Sequence, residues 1–137
     1  MSNPAKPNVL FLFSDEHSFR FLGSLSHTYP GLAESVLTPN LDKLAARGAL
    51  YTDAYCQMPL CTPSRLCVLT GLEVRKAGAW SNASALRPGL ETMPMAFSRA
   101  GYRTVLVGKM HLGGRRQMGG FDDRPYGDMT GMCGHQV

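Results

Sequence analysis

Three short stretches of the chain carry residues able to do chemistry together. The first is Cys61-Thr62-Pro63-Ser64-Arg65, continuing as Leu66-Cys67-Val68-Leu69-Thr70-Gly71. Thr62 suits a helix N-cap, and Pro63 suits the first helical position, where its missing N–H costs nothing. A helix beginning just after Cys61 turns its free N–H groups and the positive end of its dipole toward that side chain. Arg65, four residues on, can bring its guanidinium to the same turn. A sulfur atom, a ring of N–H donors and a fixed cation make a site for an anion. The second stretch is Ser14-Asp15-Glu16-His17, where two adjacent carboxylates suit a hard divalent cation; a solvated turn or a helix cap is the plainer reading of the same residues. The third is Gly108-Lys109-Met110-His111-Leu112-Gly113-Gly114. In an extended loop Lys109 and His111 point to one side, putting a cation beside a titratable imidazole. A surface lysine next to a loop histidine is the plainer reading there.

Other sulfur chemistry is disfavoured. The four cysteines, Cys56, Cys61, Cys67 and Cys133, include no Cys-x-x-Cys pair, so neither a zinc site nor a disulfide framework is indicated. A thiolate phosphatase places an arginine six positions after its cysteine, and here Cys67 and Glu73 stand at those places. Asn82-Ala83-Ser84 matches a glycosylation sequon, read as chance in a chain with no visible secretory signal.

The elements that must position these groups follow from local patterning. Residues 8–13, Asn-Val-Leu-Phe-Leu-Phe, read as a buried, parallel, central strand ending at Asp15 and Glu16, where α/β proteins place ligands. Residues 38–48 read as a helix with Thr38 as cap, Pro39 at its first position, Leu41, Leu44 and Ala45 on one face, and Gly48 as its end. Residues 18–37 read as a loop or a short helix. A strand is expected over 49–55, and a helix from just after Cys61 to Gly71. Residues 72–90 read as an exposed loop, 92–100 as a helix closed by Gly101, and 103–107 as a short strand delivering Lys109 and His111. Residues 1–7 read as a disordered tail and 113–137 as an irregular, glycine-rich segment. This succession of strands and helices is the α/β pattern.

Composition narrows the partners. With 137 residues the chain has room for one domain with a modest core. The balance of 14 basic to 10 acidic residues, without a basic run, does not argue for nucleic acid. No apolar segment reaches the ~18 residues of a membrane span, and the polar, Pro-rich start lacks the apolar core of a signal peptide. A cytoplasmic location is the resulting expectation.

Taken together, the motifs resemble the sulfatase family of the alkaline-phosphatase-like superfamily. Cys61-x-Pro63-Ser64-Arg65 followed by Leu69-Thr70-Gly71 resembles its signature. Asn8-Val9-Leu10 with Asp15-Glu16 resembles its first metal-binding strand end, and Thr38-Pro39-Asn40-Leu41-Asp42-Lys43-Leu44-Ala45 its first well-marked helix. Gly101-Tyr102-Arg103-Thr104 with Gly108-Lys109-Met110-His111-Leu112-Gly113 resembles its lysine–histidine element. Gly120-Phe121-Asp122 and Tyr126-Gly127-Asp128 are similar to a stretch of choline-sulfatase-like bacterial members.

The resemblance implies an α/β fold: the N-terminal part of a three-layer sandwich with a largely parallel central sheet. It implies a sulfuric ester hydrolase in which Cys61 is oxidised to formylglycine by a separate maturation enzyme. The hydrated aldehyde would attack the sulfur of a small-molecule sulfate ester. A divalent cation, Ca2+ first with Mg2+ or Mn2+ as alternatives, would be held by Asp15, Glu16 and residue 61. Glu16 stands where the family most often has Asp or Gln. Arg65 would hold the diol, Lys109 would neutralise sulfate oxygens, and His111 would assist proton transfer. Sulfatases are several times longer than this chain, so the resemblance covers their N-terminal portion, which alone is expected to be inactive. The alternatives are a phosphodiester or phosphonate monoester hydrolase of the same superfamily, against which Ser64 leans, and a non-catalytic domain whose Cys61 and Cys67 are simply small apolar residues. Oligomeric state is left open.

Overall fold

In this computed structural model residues 6–26 and 28–127 are described, so Cys133, Asp128 and most of the expected N-terminal tail lie outside the described residues. The chain divides into two compact units, Met1–Ala54 and Tyr55–Val137.

The first unit is helical and irregular. A single 3-10 turn, Phe19–Phe21, is capped by Ser18, whose hydroxyl accepts from the Arg20 amide. One short helix follows, α1 at Gly23–Ser26, and then α2 at Pro39–Arg47, with Pro39 in the first turn and Gly48 as its cap residue. The helix expected over 38–48 is therefore present. Thr38 stands at its N-cap position as expected, but its side chain makes no capping bond to the helix amides. Its hydroxyl accepts from the Gly23 amide at 2.8 Å and donates to Asp42 Oδ1 at 2.9 Å, while Asp42 Oδ1 also accepts from the Ser24 amide at 2.8 Å. A one-turn helix has no internal partner for its first N–H groups, and Thr38 and Asp42 supply them.

Two strands expected in this part of the chain are not formed. Residues 8–13 make no ladder among the described residues and are exposed throughout, with the Phe11 and Phe13 rings stacked 5.8 Å apart. Residues 49–55 are likewise irregular and exposed. Apolar, β-forming composition favours burial in a sheet, but a strand also needs a neighbour to exchange backbone hydrogen bonds, and the described residues of the first unit provide none.

The second unit has a core. Helix α3, Cys61–Thr70, buries Leu66, Cys67 and Leu69 against Ala77, Ala79, Leu86, Met110 and Leu112. It ends at Gly71, whose left-handed backbone lets its amide bond to the Cys67 carbonyl at 2.8 Å. The short helix α4, Val74–Ala77, follows at once. Residues 72–90, expected as an exposed loop, thus contain a helix and three of the buried core residues; alanines are small enough to pack there although they give no strong apolar signal. Helix α5, Met93–Arg99, and strand β1, Val105–Val107, fall within the segments expected.

β1 pairs in parallel with β2, Asp123–Tyr126, with a register shift between Val105 and Val107. β2 lies in the segment expected to be irregular. Pro125 cannot donate to a ladder and obscures the strand in sequence, yet an edge position tolerates it. Asp122 ties this segment down: its carboxylate accepts from the Thr104 amide at 2.8 Å, from the Thr104 hydroxyl at 3.0 Å and from Ser98 Oγ. A parallel bridge between Ala85 and Gly113 joins the 72–90 segment to the loop after β1. Among the described residues no helix is long and apolar enough to cross a membrane.

Candidate active site

The second unit brings Cys61, Arg65, Lys109 and His111 to one place, the junction of the α3 N-terminus with the loop leaving β1. Cys61 is the first residue of α3 and is half-buried, with Leu60 extended in the cap position. The helix therefore starts two residues earlier than expected, and Thr62 is not its cap. Thr62 is fully buried, and its hydroxyl lies 2.5 Å from the carbonyl oxygen of His111 and 3.1 Å from that of Asn82. With one proton to donate, its shorter contact is to His111. The capping acceptor comes from Asn82, whose Oδ1 receives the Thr62 amide at 3.2 Å. Pro63 now sits third, still in the first turn, so its missing N–H breaks no helical bond.

Arg65 is 7% exposed, and its Nη1 donates to the Lys109 carbonyl at 2.9 Å. Lys109 in turn extends its Nζ to 3.8 Å from Cys61 Sγ. Contacts that join helix and loop thus include two through backbone carbonyls of the lysine–histidine element and one between the Lys109 and Cys61 side chains. The loop is not extended as expected. His111 has φ of 50°, a left-handed backbone that interrupts simple alternation of side chains, and its imidazole is half-buried. Beyond it, the Gly113 amide donates to the Ser84 carbonyl at 2.8 Å, and Gln117 Nε2 donates to the Leu112 carbonyl at 2.6 Å.

The described cysteines occupy different environments. Burial in the core pushes the Cys67 thiol up from its ordinary value, which favours an inert thiol, and Cys56 is exposed. Cys61 stands at a helix start with the Lys109 ammonium beside it.

Asp15 and Glu16 belong to the first unit, where they form an exposed bend, Glu16 with φ of 59°. Their oxygen chemistry fits a hard divalent cation, but two carboxylates are fewer ligands than such an ion requires. Among the described residues no group of three or more His, Cys, Asp or Glu side chains is placed to hold a metal.

Two residues of this site escaped the reading of the sequence. Asn82 looked like part of a glycosylation sequon, and Thr62 like a helix cap. Their contacts span 20 and 49 residues of chain, and no local pattern encodes them.

Comparison with known proteins agrees with this geometry. A family model described as Sulfatase matches residues 7–135. The chain belongs to the sulfatase family. It is 35% identical over 114 residues to the uncharacterized sulfatase YidJ of Escherichia coli, covering 83% of this chain and 22% of that protein. It is 33% identical over 119 residues to the choline-sulfatase of Rhizobium meliloti, covering 87% of this chain and 22% of that protein. The solved structure of BT4656 in complex with its substrate D-glucosamine-2-N,6-O-disulfate superposes with a TM-score of 0.75 at 32% identity, covering 86% of this chain and 22% of that one. The fold is accordingly the α/β, alkaline-phosphatase-like fold. The chain spans about a fifth of the length of the curated relatives it matches.

Proposed function

We propose that the protein carrying this chain hydrolyses small-molecule sulfate esters, with residue 61 as the seat of the nucleophile. The observation that carries the reading is the approach of Lys109 Nζ to Cys61 Sγ, at 3.8 Å, on the N-terminal turn of α3. An ammonium and the positive end of a helix dipole at one side chain suit an ester whose oxygens gain negative charge in the transition state. A formylglycine made from Cys61 by a separate maturation enzyme would supply a hydroxyl nucleophile there, and a divalent cation would supply further positive charge. Cys61 fits the first: it is half-buried at a helix start, accessible on one side and held on the other. For the cation, Ca2+ first with Mg2+ or Mn2+ as alternatives, Asp15, Glu16 and residue 61 are the proposed ligands in this chain.

The remaining roles belong to side chains present here. Lys109 neutralises sulfate oxygens. His111 would exchange protons with a hydroxyl nucleophile at residue 61. Arg65 fixes the Lys109 backbone through its 2.9 Å bond and orients the oxygens of residue 61. Because the chain spans about a fifth of its relatives, the activity is assigned to the whole protein, and residues 1–137 alone are expected to give no turnover.

The test is to produce the full-length protein with and without a formylglycine-generating enzyme. The peptide containing residue 61 should lose about 18 Da on maturation, and the matured protein should release sulfate from an aryl sulfate faster than phosphate from the matching aryl phosphate. Full activity with an unmodified cysteine would overturn the formylglycine assignment. A faster phosphate reaction would make the protein a phosphoesterase of the same superfamily.

A further inference from the structure

Between the α3 N-terminus and the lysine–histidine loop lies a contact that neither the motif nor the proposed chemistry uses. Thr62 is 0% exposed, and its hydroxyl reaches the His111 carbonyl at 2.5 Å, shorter than the 2.9 Å bond from Arg65 to the Lys109 carbonyl. His111 is one of two non-glycine described residues with positive φ. A left-handed backbone at such a residue costs on the order of 1 kcal/mol and persists where the surroundings over-determine it. Just beyond it, Leu112 is completely buried in the core. The segment Lys109-Met110-His111-Leu112 is therefore held along its length: Arg65 on the Lys109 carbonyl, Met110 in the core, Thr62 on the His111 carbonyl, and Leu112 in the core with its carbonyl bonded to Gln117. Thr62 acts on the residue whose backbone departs from the ordinary regions.

We infer that Thr62 is a positioning residue, whose hydroxyl fixes the left-handed turn at His111 and thereby sets the imidazole and the Lys109 ammonium relative to residue 61. The role rests on the proposed sulfate ester hydrolysis for its consequence in catalysis, but not for the structural latch itself. Thr62 touches no reacting atom. It acts through the backbone of His111, and the short contact leaves little freedom for the loop to pivot against α3. Replacing the hydroxyl by a methyl of the same shape leaves the His111 carbonyl without its partner in a buried setting, which favours a different turn. The threonine methyl also fills space, so a serine tests the hydroxyl apart from the packing.

The experiment compares Thr62→Val and Thr62→Ser with the parent in the full-length protein. Amide hydrogen exchange is followed by mass spectrometry over residues 108–114, with α5, Met93–Arg99, as the internal reference. Thr62→Val is expected to lose protection in the loop relative to α5, and Thr62→Ser to keep it. Should Thr62→Val fail to fold, Thr62→Ala takes its place in the comparison with Thr62→Ser. In turnover of an aryl sulfate by matured protein, the Val variant should lose about tenfold to a hundredfold in kcat with little change in KM, a loss of geometry and not of binding, and the Ser variant should recover most of it. The peptide mass at residue 61 is checked in each variant, so that poor maturation is not mistaken for poor geometry. Unchanged loop protection in the hydroxyl-free variant, or equal loss in the Ser variant, overturns the role. If the parent protein hydrolyses no sulfate ester, the proposed function fails while the exchange comparison still decides the latch.

Discussion

The side chains at the junction divide into those proposed to face the anion and those that hold them there. Lys109 is of the first kind, with its ammonium 3.8 Å from Cys61 Sγ. Arg65 works partly as the second, since one guanidinium nitrogen is committed to a backbone carbonyl. Their substitutions should therefore differ in kind. Lys109→Met keeps the length and apolar stem and removes the charge. In the full-length, matured protein it is expected to lower kcat by about a hundredfold or more, the scale of deleting one preorganised donor, with unfolding by urea nearly unchanged. Steady-state kinetics beside a denaturation curve checks both halves of that expectation. A loss of stability as large as the loss of rate would mean that Lys109 serves the fold and not the anion.

At the scale of elements, α3 is positioned by its two ends. Its N-terminus is held by Asn82 and by the His111 carbonyl, its C-terminus by the left-handed Gly71. Gly71 has φ of 67° and open space around the place a methyl would take. Gly113 is the opposite case: a methyl there would lie 2.7 Å from the Ser84 carbonyl oxygen, across the bridge that joins two loops of the site. Gly71→Ala should cost about 1 kcal/mol, from backbone conformation alone. Gly113→Ala should cost more, toward the upper end of about 1–3 kcal/mol, because backbone must move to admit the methyl. Urea midpoints at constant m-value measure the two, and equal shifts would mean that the Gly113 contact relaxes without cost.

The two units of the molecule differ in how they are held together. The second has a contiguous core from Leu66 to Leu112, while the first buries only Leu25 among the apolar residues described and leaves Val9, Leu10, Phe11, Leu12 and Phe13 exposed. In the second unit, Asp122 anchors the β2 segment, and its hydrogen bonds to the Thr104 amide, the Thr104 hydroxyl and Ser98 hold its carboxyl below the ordinary carboxylate value. A folded value depressed below the unfolded one means that the unfolded chain binds the proton first. The stabilisation is present above the ordinary carboxylate pKa, about 3.9, and is lost as pH falls through the lower folded value. Thermal unfolding followed from pH 6 downward should show the parent losing stability below about pH 4. Asp122→Asn should be less stable at pH 6 and flatter over the acid range. Parallel pH profiles for the two proteins would assign the acid transition to other carboxylates.

Much of the site was legible because its parts are local. Pro63, Arg65 and Gly71 mark α3 by position alone, the helix over 38–48 shows its stop residue, and β1 announces itself by the run ending at Val107. What the sequence by itself determined, then, is where α3 and β1 lie, and hence that the residues proposed to carry the chemistry, Cys61, Arg65, Lys109 and His111, stand in the first half of that helix or in the loop after that strand. Backbone propensity, capping and the reach of a side chain within one turn act over a few residues, so they can be read from a few residues. The tertiary structure decided how the helix starts and how the loop turns. Thr62 lost the cap position because its hydroxyl found a carbonyl 49 residues away, and Asn82 took over the cap from 20 residues away. His111 left the extended region, and β2 formed around a proline, for the same reason: hydrogen bonds and burial between distant segments outweigh the local preference, and only folding brings those segments within reach.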